Sequence, residues 1–419
     1  MSDFKYKPNE LFCENVKVRA IAEAVGTPCY IYSSQSLVSQ FLKLKKAFAA
    51  INPLICFAMK ANDNLAVVKT LVKQGAGCDI VSGGELKKAL AVETDPQKIV
   101  YASVGKTEKE IEESLNAGIL LFNVESLPEL EEIERIAVKL GKKAKAALRI
   151  NPDVKAATHD RITTGTLQKK FGIDLTTAHK ILKNKEKYTQ VDVVGIHMHI
   201  GSQITSKKPF ITAIKKVAVF IEELKADGIA LEYFDIGGGF GIVYNEEDPF
   251  CVQDFADSII PVLKKTGLKI IMEPGRFICG NAGILVTQAL YIKDNGVKKF
   301  LIVDSGMNDL VRPSMYDAYH EIIPLRKMSW KKEKMDIVGP ICESGDYFAK
   351  DRPVYAAVKK GDFLAIMSAG AYGHVMSSNY NSRTRCAEVL VKGNKYYVVR
   401  ERETYADLVR GQVVPDFIK

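Results

Sequence analysis

A lysine that could act as a nucleophile, Lys60, directly follows an apolar stretch. Residues 54–59 are Leu, Ile, Cys, Phe, Ala and Met, a run that predicts a strand buried on both faces, as in a parallel sheet. A lysine at the end of such a strand extends either into solvent or into a cavity. A cavity would desolvate the ε-amine and lower its pKa, which suits a lysine that forms a Schiff base. These residues alone leave both interpretations open.

A glycine-rich run and a charged turn suggest a site for an anion. Gly237–Gly241 has four glycines around Phe240, so its backbone N–H groups can approach an anion closely. Glu273 and Arg276 follow the next apolar run. Glu273 is a carboxylate at the end of a predicted buried strand and therefore needs a partner. A pyridine nitrogen kept protonated by Glu273 would be such a partner, and it would make the ring an electron sink.

Two histidines, His197 and His199, stand two residues apart and would point to the same face of a strand. A metal-binding pair is possible in principle. However, the sequence offers no nearby third ligand of a suitable type, and Gly201–Gln203 is typical of a turn that faces a phosphate. We therefore expect no metal, and His199 could instead stack on a flat ring.

These residues need elements that bring them to one place. Apolar strands recur along the chain, separated by amphipathic helical patterns. Eight strands are predicted at Leu54–Met59, Cys78–Ser82, Ile99–Ser103, Leu120–Val124, Ala146–Ile150, Val193–Ile200, Tyr233–Ile236 and Lys269–Met272. Eight strand-then-helix units favour a (β/α)8 TIM barrel, with a doubly wound open sheet as the alternative. On a barrel, the reactive residues above would lie at the C-terminal ends of strands, where active sites occur.

The pattern changes near residue 282, where strands begin to follow one another without helices. They are predicted at Ile284–Ile292, Lys299–Asp304, Val354–Val358, Phe363–Met367, Ala387–Val391 and Lys395–Arg400. Turn signals between them indicate an antiparallel β domain, either a sandwich or a barrel. We therefore predict an N-terminal segment 1–30 that packs with the β domain, a barrel over 31–281, and the β domain over 282–419.

Composition narrows the class of protein. The chain has 419 residues, 47% hydrophobic content and a net charge of +9, with basic and acidic residues interleaved. No basic block with interspersed aromatic residues is present, so a nucleic-acid partner is not expected. Eight cysteines without metal-type or paired spacing predict neither disulfides nor a zinc site. Without a signal-peptide pattern or an apolar run of about 18 residues, we expect a cytoplasmic protein and no membrane partner.

Four motifs resemble the barrel-type pyridoxal-phosphate-dependent decarboxylases of basic amino acids, which have an alanine-racemase-like fold. The motifs are Phe57–Asn62, His199–Gln203, Gly237–Gly241 and Glu273–Arg276, and the likeness covers nearly the whole chain. The resemblance implies pyridoxal 5'-phosphate as cofactor, with Lys60 as the covalent attachment. It implies cofactor contacts from Lys60, His199, Ser202, Gly239, Glu273, Gly275, Arg276 and Tyr372.

Three motifs in the predicted β domain resemble the diaminopimelate decarboxylase branch of that family. They are Arg312–His320, Cys342–Asp346 and Gly370–Gly373. The resemblance implies a homodimer with shared active sites, in which Cys342, Glu343 and Tyr372 come from the second chain. It implies substrate contacts from Arg276, Arg312, Tyr316, Glu343 and Tyr372. Cys342 would also be the acid that returns a proton to carbon.

The implied reaction is the decarboxylation of meso-2,6-diaminopimelate to L-lysine and carbon dioxide, the last step of lysine biosynthesis. Decarboxylation of another basic amino acid, of the ornithine, arginine or carboxynorspermidine type, is the alternative. Hypotheses of other classes are a cofactor-free binding protein and a metal-dependent barrel hydrolase that uses His197 and His199. Arg149, His159 and Lys170 are left without an assigned role.

Overall fold

A computed structural model of the chain describes residues 3–154, 170–328 and 331–418. The chain divides into two units, one formed by Leu37–Cys279 and the other by Met1–Ser36 together with Gly280–Lys419. Within the described ranges, no helix combines the length and apolar character that crossing a membrane requires.

The first unit contains a closed barrel of eight parallel strands, as the sequence predicted. The strands are Leu54–Ala58, Gly77–Ile80, Ile99–Ala102, Leu121–Val124, Ala144–Arg149, Val191–His197, Tyr233–Asp235 and Lys269–Met272. Each pairs with its neighbour along the chain, and the eighth closes on the first through Ile271 opposite Leu54. This closure excludes the doubly wound open sheet, whose edge strands remain unpaired. The predicted strands are all present; Lys269–Met272 has the predicted bounds, and the ends of the others differ by at most three residues.

Helices alternate with these strands and begin and end at recognisable residues. They are Ser34–Ala47, Leu65–Val72, Gly83–Ala91, Glu108–Ala117, Leu127–Leu140, Leu175–Lys183, Lys208–Ala226, Val252–Thr266 and Arg276–Cys279. Thr107 closes a capping box with Glu110 at one helix start, and such a cap contributes about 1 kcal/mol. Gly118 and Gly141 end two helices in the left-handed conformation, which costs glycine little because it has no Cβ. These short, sharply ended helices return the chain to the next strand.

The second unit is built on a nine-stranded sheet and a separate three-stranded sheet. The larger sheet contains Cys29–Ser33, Gly283–Asp294, Lys299–Val303, Ile322–Pro324, Lys332–Val338, Tyr347–Tyr355, Phe363–Ile366, Ala387–Lys392 and Lys395–Arg400, and the smaller one Phe4–Lys7, Glu10–Cys13 and Val16–Lys17. Pairing is mostly antiparallel, as predicted. Two pairs are parallel instead, Lys299–Val303 with Lys332–Val338 and Cys29–Ser33 with Ala387–Lys392.

Two strands of the larger sheet escaped sequence-based prediction, and one was displaced. Lys332–Val338 begins with alternating charged residues, and Ile322–Pro324 has only three residues, so neither produces a clear apolar pattern. The strand predicted at Val354–Val358 is instead the end of Tyr347–Tyr355. Short helices in the same unit span Val18–Val25, Arg312–Tyr316 and Tyr405–Val409.

The N-terminal region joins the second unit because of one strand. Cys29–Ser33 is buried at every residue and lies between Gly283–Asp294 and Ala387–Lys392 in the sheet. The division between units therefore falls after Ser36, whereas the sequence-based boundary was placed after residue 30. A strand hydrogen-bonded on both edges cannot be separated from its sheet without exposing its backbone groups.

Candidate active site

The C-terminal ends of the barrel strands surround a cavity of about 320 Å3. Lys60 lies in the one-turn 3-10 helix Met59–Ala61, directly after the first strand. His197 is the last residue of the sixth strand, and Glu273 follows the eighth. The cavity is lined by Lys60, Val81, Ala102, Ser103, Val104, Glu125, Arg149, Lys170, Phe171, His197, His199 and Glu273. Parallel pairing places these strand ends at one rim, so residues far apart in sequence become neighbours.

Lys60 has a carboxylate partner at the end of the second strand. Its Nζ lies 2.5 Å from Oδ2 of Asp79, whose side chain is fully buried. Burial, reinforced by the charge of Glu273, raises the pKa of Asp79 to about 8, although the nearby Lys60 charge acts in the opposite direction. The lysine amine is therefore paired with a buried carboxyl group whose pKa lies well above the usual carboxyl range.

Glu273 is buried and is held by two donors. Nε2 of His197 lies 3.2 Å from one carboxylate oxygen, and Nδ2 of Asn123 donates to the other at 2.9 Å. Burial raises the pKa of Glu273, but the opposing effects of His197 and of the Lys60 charge are larger and hold it below its usual range. Glu273 is thus an ionised carboxylate inside the barrel.

Asp235, at the end of the seventh strand, behaves in the opposite way. Burial and the neighbouring Glu273 charge raise its pKa well above the usual range, despite a hydrogen bond donated by the Gly237 N–H. Asn123 Nδ2 also lies 3.3 Å from Asp235, so one amide contacts both acids. Of these two buried acids, the environment of Asp235 therefore favours its protonated form, and that of Glu273 favours its ionised form.

The expectation that His197 lacks a suitable third ligand nearby is wrong. Its ring and the carboxylates of Asp235 and Glu273 offer ligand atoms within 4.8 Å of one another, all buried. Types and distances are compatible with a metal ion. Asn123 donates to both carboxylates, however, and an N–H group directed at these oxygens competes with a cation for them. The hydrogen bonds already explain why these residues converge.

His199 lies just beyond the sixth strand and is partly buried. Its pKa is well below the usual range because of burial, with the charges of Arg149 and Lys60 acting in the same direction. The Gly238 N–H lies 3.3 Å from its Nδ1 and donates to it. A neutral, oriented imidazole of this kind is suited to packing against a flat ring.

The glycine run passes so close to other backbone that side chains are excluded. A Cβ on Gly237, Gly238 or Gly239 would lie 2.3, 2.0 or 2.1 Å from a carbonyl oxygen. Gly237 and Gly239 also have positive φ values, of 68° and 99°, which strongly favour glycine. Gly275 is similarly confined, because its Cβ would lie 2.9 Å from the Cβ of Ala61. The N–H groups of Gly237, Gly238 and Gly241 already donate within the barrel unit, so Gly239 is the glycine of the run whose N–H is best placed to approach an anion.

Arg276 completes the cationic side of this turn. It is 6% exposed and donates through Nη2 to Oγ of Ser202 at 3.0 Å and through Nη1 to the hydroxyl of Tyr244 at 2.7 Å. Glycine N–H groups, a serine hydroxyl and a guanidinium are the donors that a phosphate requires. With Lys60, His199 and Glu273, they form a set that fits pyridoxal phosphate.

Arg149 and Lys170, which were left unassigned, line the same cavity. Arg149 Nη1 lies 2.5 Å from Oε1 of Glu125, and both side chains are nearly buried. A second buried pair, Lys106 with Glu129, has an N–O distance of 2.5 Å. Glu125 and Glu129 are joined by a hydrogen bond from the Glu125 N–H, so the two pairs form one network. His159 lies outside the described residues.

Five predicted site residues belong to the β unit, namely Arg312, Tyr316, Cys342, Glu343 and Tyr372. Arg312 is buried and forms a hydrogen bond with His320, with 2.9 Å between Nη1 of Arg312 and Nε2 of His320. Arg312 and half-buried Tyr316 share the short helix Arg312–Tyr316. Tyr372, also half-buried, has a φ of 55°, a value uncommon for a residue other than glycine.

Cys342 and Glu343 are exposed on a loop that backbone hydrogen bonds hold in place. The N–H of Cys342 donates to Oδ1 of Asn381 at 2.7 Å. Ser314, on the helix that carries Arg312, donates from Oγ to the carbonyl of Gly345 at 2.6 Å. The helix with Arg312 and Tyr316 and the loop with Cys342 and Glu343 are therefore linked within the β unit.

Sequence reasoning missed the acids and amides that support the barrel residues. Asp79, Asn123 and Asp235 are fully buried near the ends of three strands, yet none was assigned a role. A polar residue inside an otherwise apolar strand is a signal that could have identified all three. It could not have identified which groups they contact, because the barrel register decides that.

Comparisons with known proteins agree with this geometry. Residues 34–280 match the family model described as "Pyridoxal-dependent decarboxylase, pyridoxal binding domain". The diaminopimelate decarboxylase of Aquifex aeolicus is 50% identical over 406 residues, which cover 97% of this chain and 96% of that protein. The Pseudomonas aeruginosa enzyme of the same name is 44% identical over 412 residues, 98% and 99% of the two chains.

Solved structures give the same result. The diaminopimelate decarboxylase of M. jannaschii, in complex with L-lysine, superposes with a TM-score of 0.94 at 39% identity and covers 99% of both chains. The Helicobacter pylori diaminopimelate decarboxylase, also in complex with L-lysine, has a TM-score of 0.90 at 42% identity and covers 94% of this chain and 98% of that one. The similarity therefore extends over both units of the chain.

Proposed function

Because this chain belongs to the diaminopimelate decarboxylase family of pyridoxal-dependent decarboxylases, we propose that it converts meso-2,6-diaminopimelate to L-lysine and carbon dioxide. One structural observation supports this proposal in addition to the family membership. Lys60, His199 and Glu273 line a single cavity, next to a glycine run and an arginine that can hold a phosphate. Those are the groups through which a protein binds and tunes pyridoxal phosphate.

The barrel residues would bind and orient the cofactor. Lys60 would attach it covalently, since its amine ends a strand inside the cavity. Gly239, Gly275, Ser202 and Arg276 would hold the phosphate. When bound, pyridoxal phosphate supplies an electron sink for the bond that breaks.

Two further residues would act on the faces and edge of the cofactor ring. His199 would pack against the ring as a neutral imidazole. Glu273 would keep a proton on the pyridine nitrogen, because its own pKa lies below the usual carboxyl range. The ionised state of Glu273, supported by His197 and Asn123, is therefore the feature on which the chemistry depends.

Substrate recognition would use residues of both units. Arg276 and Arg312 would bind the carboxylate that the substrate retains, because a guanidinium matches a carboxylate with two parallel hydrogen bonds. Tyr316 would assist them, and Glu343 would bind an ammonium group of the substrate. Tyr372 would contribute to both cofactor and substrate binding.

The exposed loop of the β unit suggests a homodimer with shared active sites. Cys342, Glu343 and Tyr372 of a second copy would then complete each barrel cavity. Cys342 would deliver a proton from its thiol to the carbon that has lost carbon dioxide. Cys342 is one of the two exposed cysteines of the chain, and such a position suits a group that acts on a ligand held elsewhere.

A decarboxylase of ornithine, arginine or carboxynorspermidine type is the alternative within the same chemistry. Ornithine and arginine keep no carboxylate after the reaction, so their enzymes need an acidic group for the distal amine. The buried Arg312, with its fork of donors, instead favours a substrate that keeps one carboxylate.

The test is the release of carbon dioxide from meso-diaminopimelate, ornithine, arginine and lysine by the purified, cofactor-loaded protein. We expect turnover of meso-diaminopimelate alone and a visible absorption band of bound cofactor that borohydride removes. Turnover of ornithine or arginine with no activity on diaminopimelate would contradict the proposed substrate. A protein without the band would contradict the cofactor assignment itself.

A further inference from the structure

His320 of the β unit is completely buried, and both nitrogens of its imidazole ring make polar contacts. Its Nε2 lies 2.9 Å from Nη1 of Arg312, and its Nδ1 lies 2.8 Å from the carbonyl oxygen of Met367. His320 is the last residue of the motif Arg312–His320, yet no role has been assigned to it above. The ring connects an arginine of the proposed substrate site to the backbone of the sheet.

These two contacts determine which nitrogen of the ring carries the proton. A guanidinium can only donate hydrogen bonds, and a carbonyl oxygen can only accept them. Nδ1 of His320 therefore donates to Met367, and Nε2 accepts from Arg312. A doubly protonated ring would direct an N–H at the Arg312 N–H and place two cations against each other. The geometry is thus that of a neutral imidazole with its proton on Nδ1.

The sheet holds this ring in place. His320 lies shortly before the strand Ile322–Pro324, which pairs with Phe363–Ile366. Met367 directly follows the second strand, and its N–H donates to the carbonyl of Glu321 at 2.8 Å. The peptide of Met367 therefore contacts the backbone next to His320 through its N–H and the ring of His320 through its carbonyl. The position of Nε2 is set by the register of this strand pair.

A neutral partner suits an arginine that has to bind an anion. Arg312 is 6% exposed, so its guanidinium is a buried cation. A carboxylate partner would hold the side chain but would also neutralise its charge. An imidazole acceptor engages one of the five N–H groups of a guanidinium and leaves the charge intact. Fixing a side chain with many rotamers in advance also reduces the entropy lost when a ligand binds.

We propose that His320 is a positioning residue for substrate recognition. As a neutral imidazole, it holds the Arg312 guanidinium charged and oriented for the carboxylate that the substrate retains. This inference rests on the role proposed above for Arg312. Because His320 acts through Arg312, its loss should affect ligands that have this carboxylate and spare those that lack it. L-lysine and 1,5-diaminopentane form such a pair, since they differ only in the carboxylate.

The competing explanation is that His320 only fills the interior and satisfies the carbonyl of Met367. Two substitutions separate these roles. His320→Asn places an amide near the position of Nδ1, where it can donate to Met367 but does not reach Arg312. His320→Gln places an amide oxygen near the position of Nε2, where it can accept from Arg312. A positioning role predicts that glutamine is the better replacement, and a structural role predicts that asparagine is.

The experiment is calorimetric titration of the cofactor-loaded wild type and of both variants with L-lysine and with 1,5-diaminopentane. His320→Asn should weaken L-lysine binding about tenfold, as expected for the loss of a hydrogen bond to a charged group. It should leave the affinity for 1,5-diaminopentane unchanged. His320→Gln should retain most of the affinity for L-lysine. With diaminopimelate as substrate, His320→Asn should raise KM by a larger factor than it lowers kcat.

The protonation of the ring is measured in the wild type, so this part does not depend on how well a variant folds. The chain has six histidines, and nitrogen-15 labelling of their rings allows NMR to distinguish the two neutral forms from the charged form. The resonances that are missing from His320→Gln identify those of His320. We expect a neutral ring with its proton on Nδ1.

The proposal is overturned if His320→Asn binds L-lysine as tightly as the wild type, or if His320→Gln is the weaker of the two variants. Equal weakening of L-lysine and 1,5-diaminopentane would also overturn it, because general damage does not select for a carboxylate. A proton on Nε2 in the NMR measurement would have the same meaning.

Failure of the proposed function gives a different result. Wild-type protein would then release no carbon dioxide from diaminopimelate and would bind L-lysine no more tightly than 1,5-diaminopentane. That result would remove the role of Arg312 together with that of His320, even with the proton found on Nδ1. Failure of the His320 proposal alone leaves the activity of the wild type and its preference for L-lysine intact, so the two failures are distinguishable.

Discussion

The barrel cavity and the Cys342 loop hold their reactive groups in contrasting ways. Glu273 and Asp79 are buried at 3% and 0% exposure and contact other side chains of the same barrel. Cys342 and Glu343 are exposed, and their loop is held through backbone N–H and carbonyl groups. In the barrel, burial influences the charge state of the reactive side chains as well as their position. In the loop, the hydrogen bonds hold only the position of the backbone. The barrel cavity is thus lined by side chains that contact one another, whereas the side chains of Cys342 and Glu343 face solvent.

The largest expected effect is that of Lys60→Ala, which should abolish turnover and the visible band of bound cofactor. Loss of a nucleophile that other groups only support typically costs at least roughly a thousandfold. Absorption spectra and carbon dioxide release are the measurements. Lys170→Ala is the control, since Lys170 lines the same cavity, and it should retain the band. A borohydride-sensitive band in Lys60→Ala would mean that another lysine holds the cofactor.

Glu273→Gln should retain the cofactor but lower kcat by about a hundredfold to a thousandfold, as expected for the loss of one preorganised charge. A neutral amide cannot hold the proton of a pyridinium. Asp235→Asn is the matched variant, because the raised pKa of Asp235 means that this acid is already neutral. It should lower kcat less than about tenfold. Equal losses of kcat in the two variants would contradict the assignment of Asp235 as the protonated acid and Glu273 as the ionised one.

Mixing Lys60→Ala with Cys342→Ala tests the contrast between barrel and loop directly. Each variant alone should be inactive. After subunit exchange in equal amounts, about half the dimers are mixed and each has one intact site, so activity should recover to about a quarter of the wild type. Mass labelling confirms exchange. Exchange without recovery would place both groups in the site of one chain and remove the shared-site proposal.

The smallest expected effect concerns Asp309, a buried acid of the β unit. Burial raises its pKa to about 7, although the Gly306 N–H and the charges of Arg383 and Arg402 lower it and Asp304 raises it. An unfolded aspartate has a pKa of about 3.9, so the folded state binds more protons and stability falls as the pH rises from about 4 to 7. The upper limit is roughly 4 kcal/mol.

Asp309→Asn should remove this dependence. Urea midpoints of the β-unit transition, measured at pH 5 and pH 8, should differ less in the variant than in the wild type. Asp304→Asn is the comparison, because Asp304 belongs to the same unit but accepts hydrogen bonds from Thr27 and Thr287 at both carboxylate oxygens. Parallel pH profiles for wild type and Asp309→Asn would contradict the raised pKa.

Much of the fold could be predicted because the buried barrel strands have a clear apolar sequence pattern. Strands covered on both faces are continuous apolar runs, and all eight were found. The β unit was harder, since Lys332–Val338 opens with charged residues on a partly exposed strand. Its two parallel pairings could not be predicted either, because strand order is decided by contacts between segments as distant as Cys29–Ser33 and Ala387–Lys392.

The residues of the candidate site also differ in how far they could be predicted from the sequence. Lys60, Glu273 and the glycine run stand out because their types are unusual at the ends of apolar strands. The hydrogen-bond partners of these residues cannot be recognised in the sequence, since Asp79 contacts Lys60, and Asn123 contacts Glu273, only because of the register of a closed barrel. The resemblance to a known family suggested roles for Cys342 and Arg312, and those roles stay predictions.

By itself, the sequence determined which reactive groups end the barrel strands, since strand ends follow from local apolar runs. Only the tertiary structure decided the state of those groups. Asp235 and Glu273 are both acids at the ends of buried strands, and no local feature separates them. His197 lies against Glu273 and lowers its pKa, whereas Asp235 is left with burial and the charge of Glu273, which raise its own. The reason is physical: a pKa depends on desolvation and on the distances to other charges, and the closed barrel sets both.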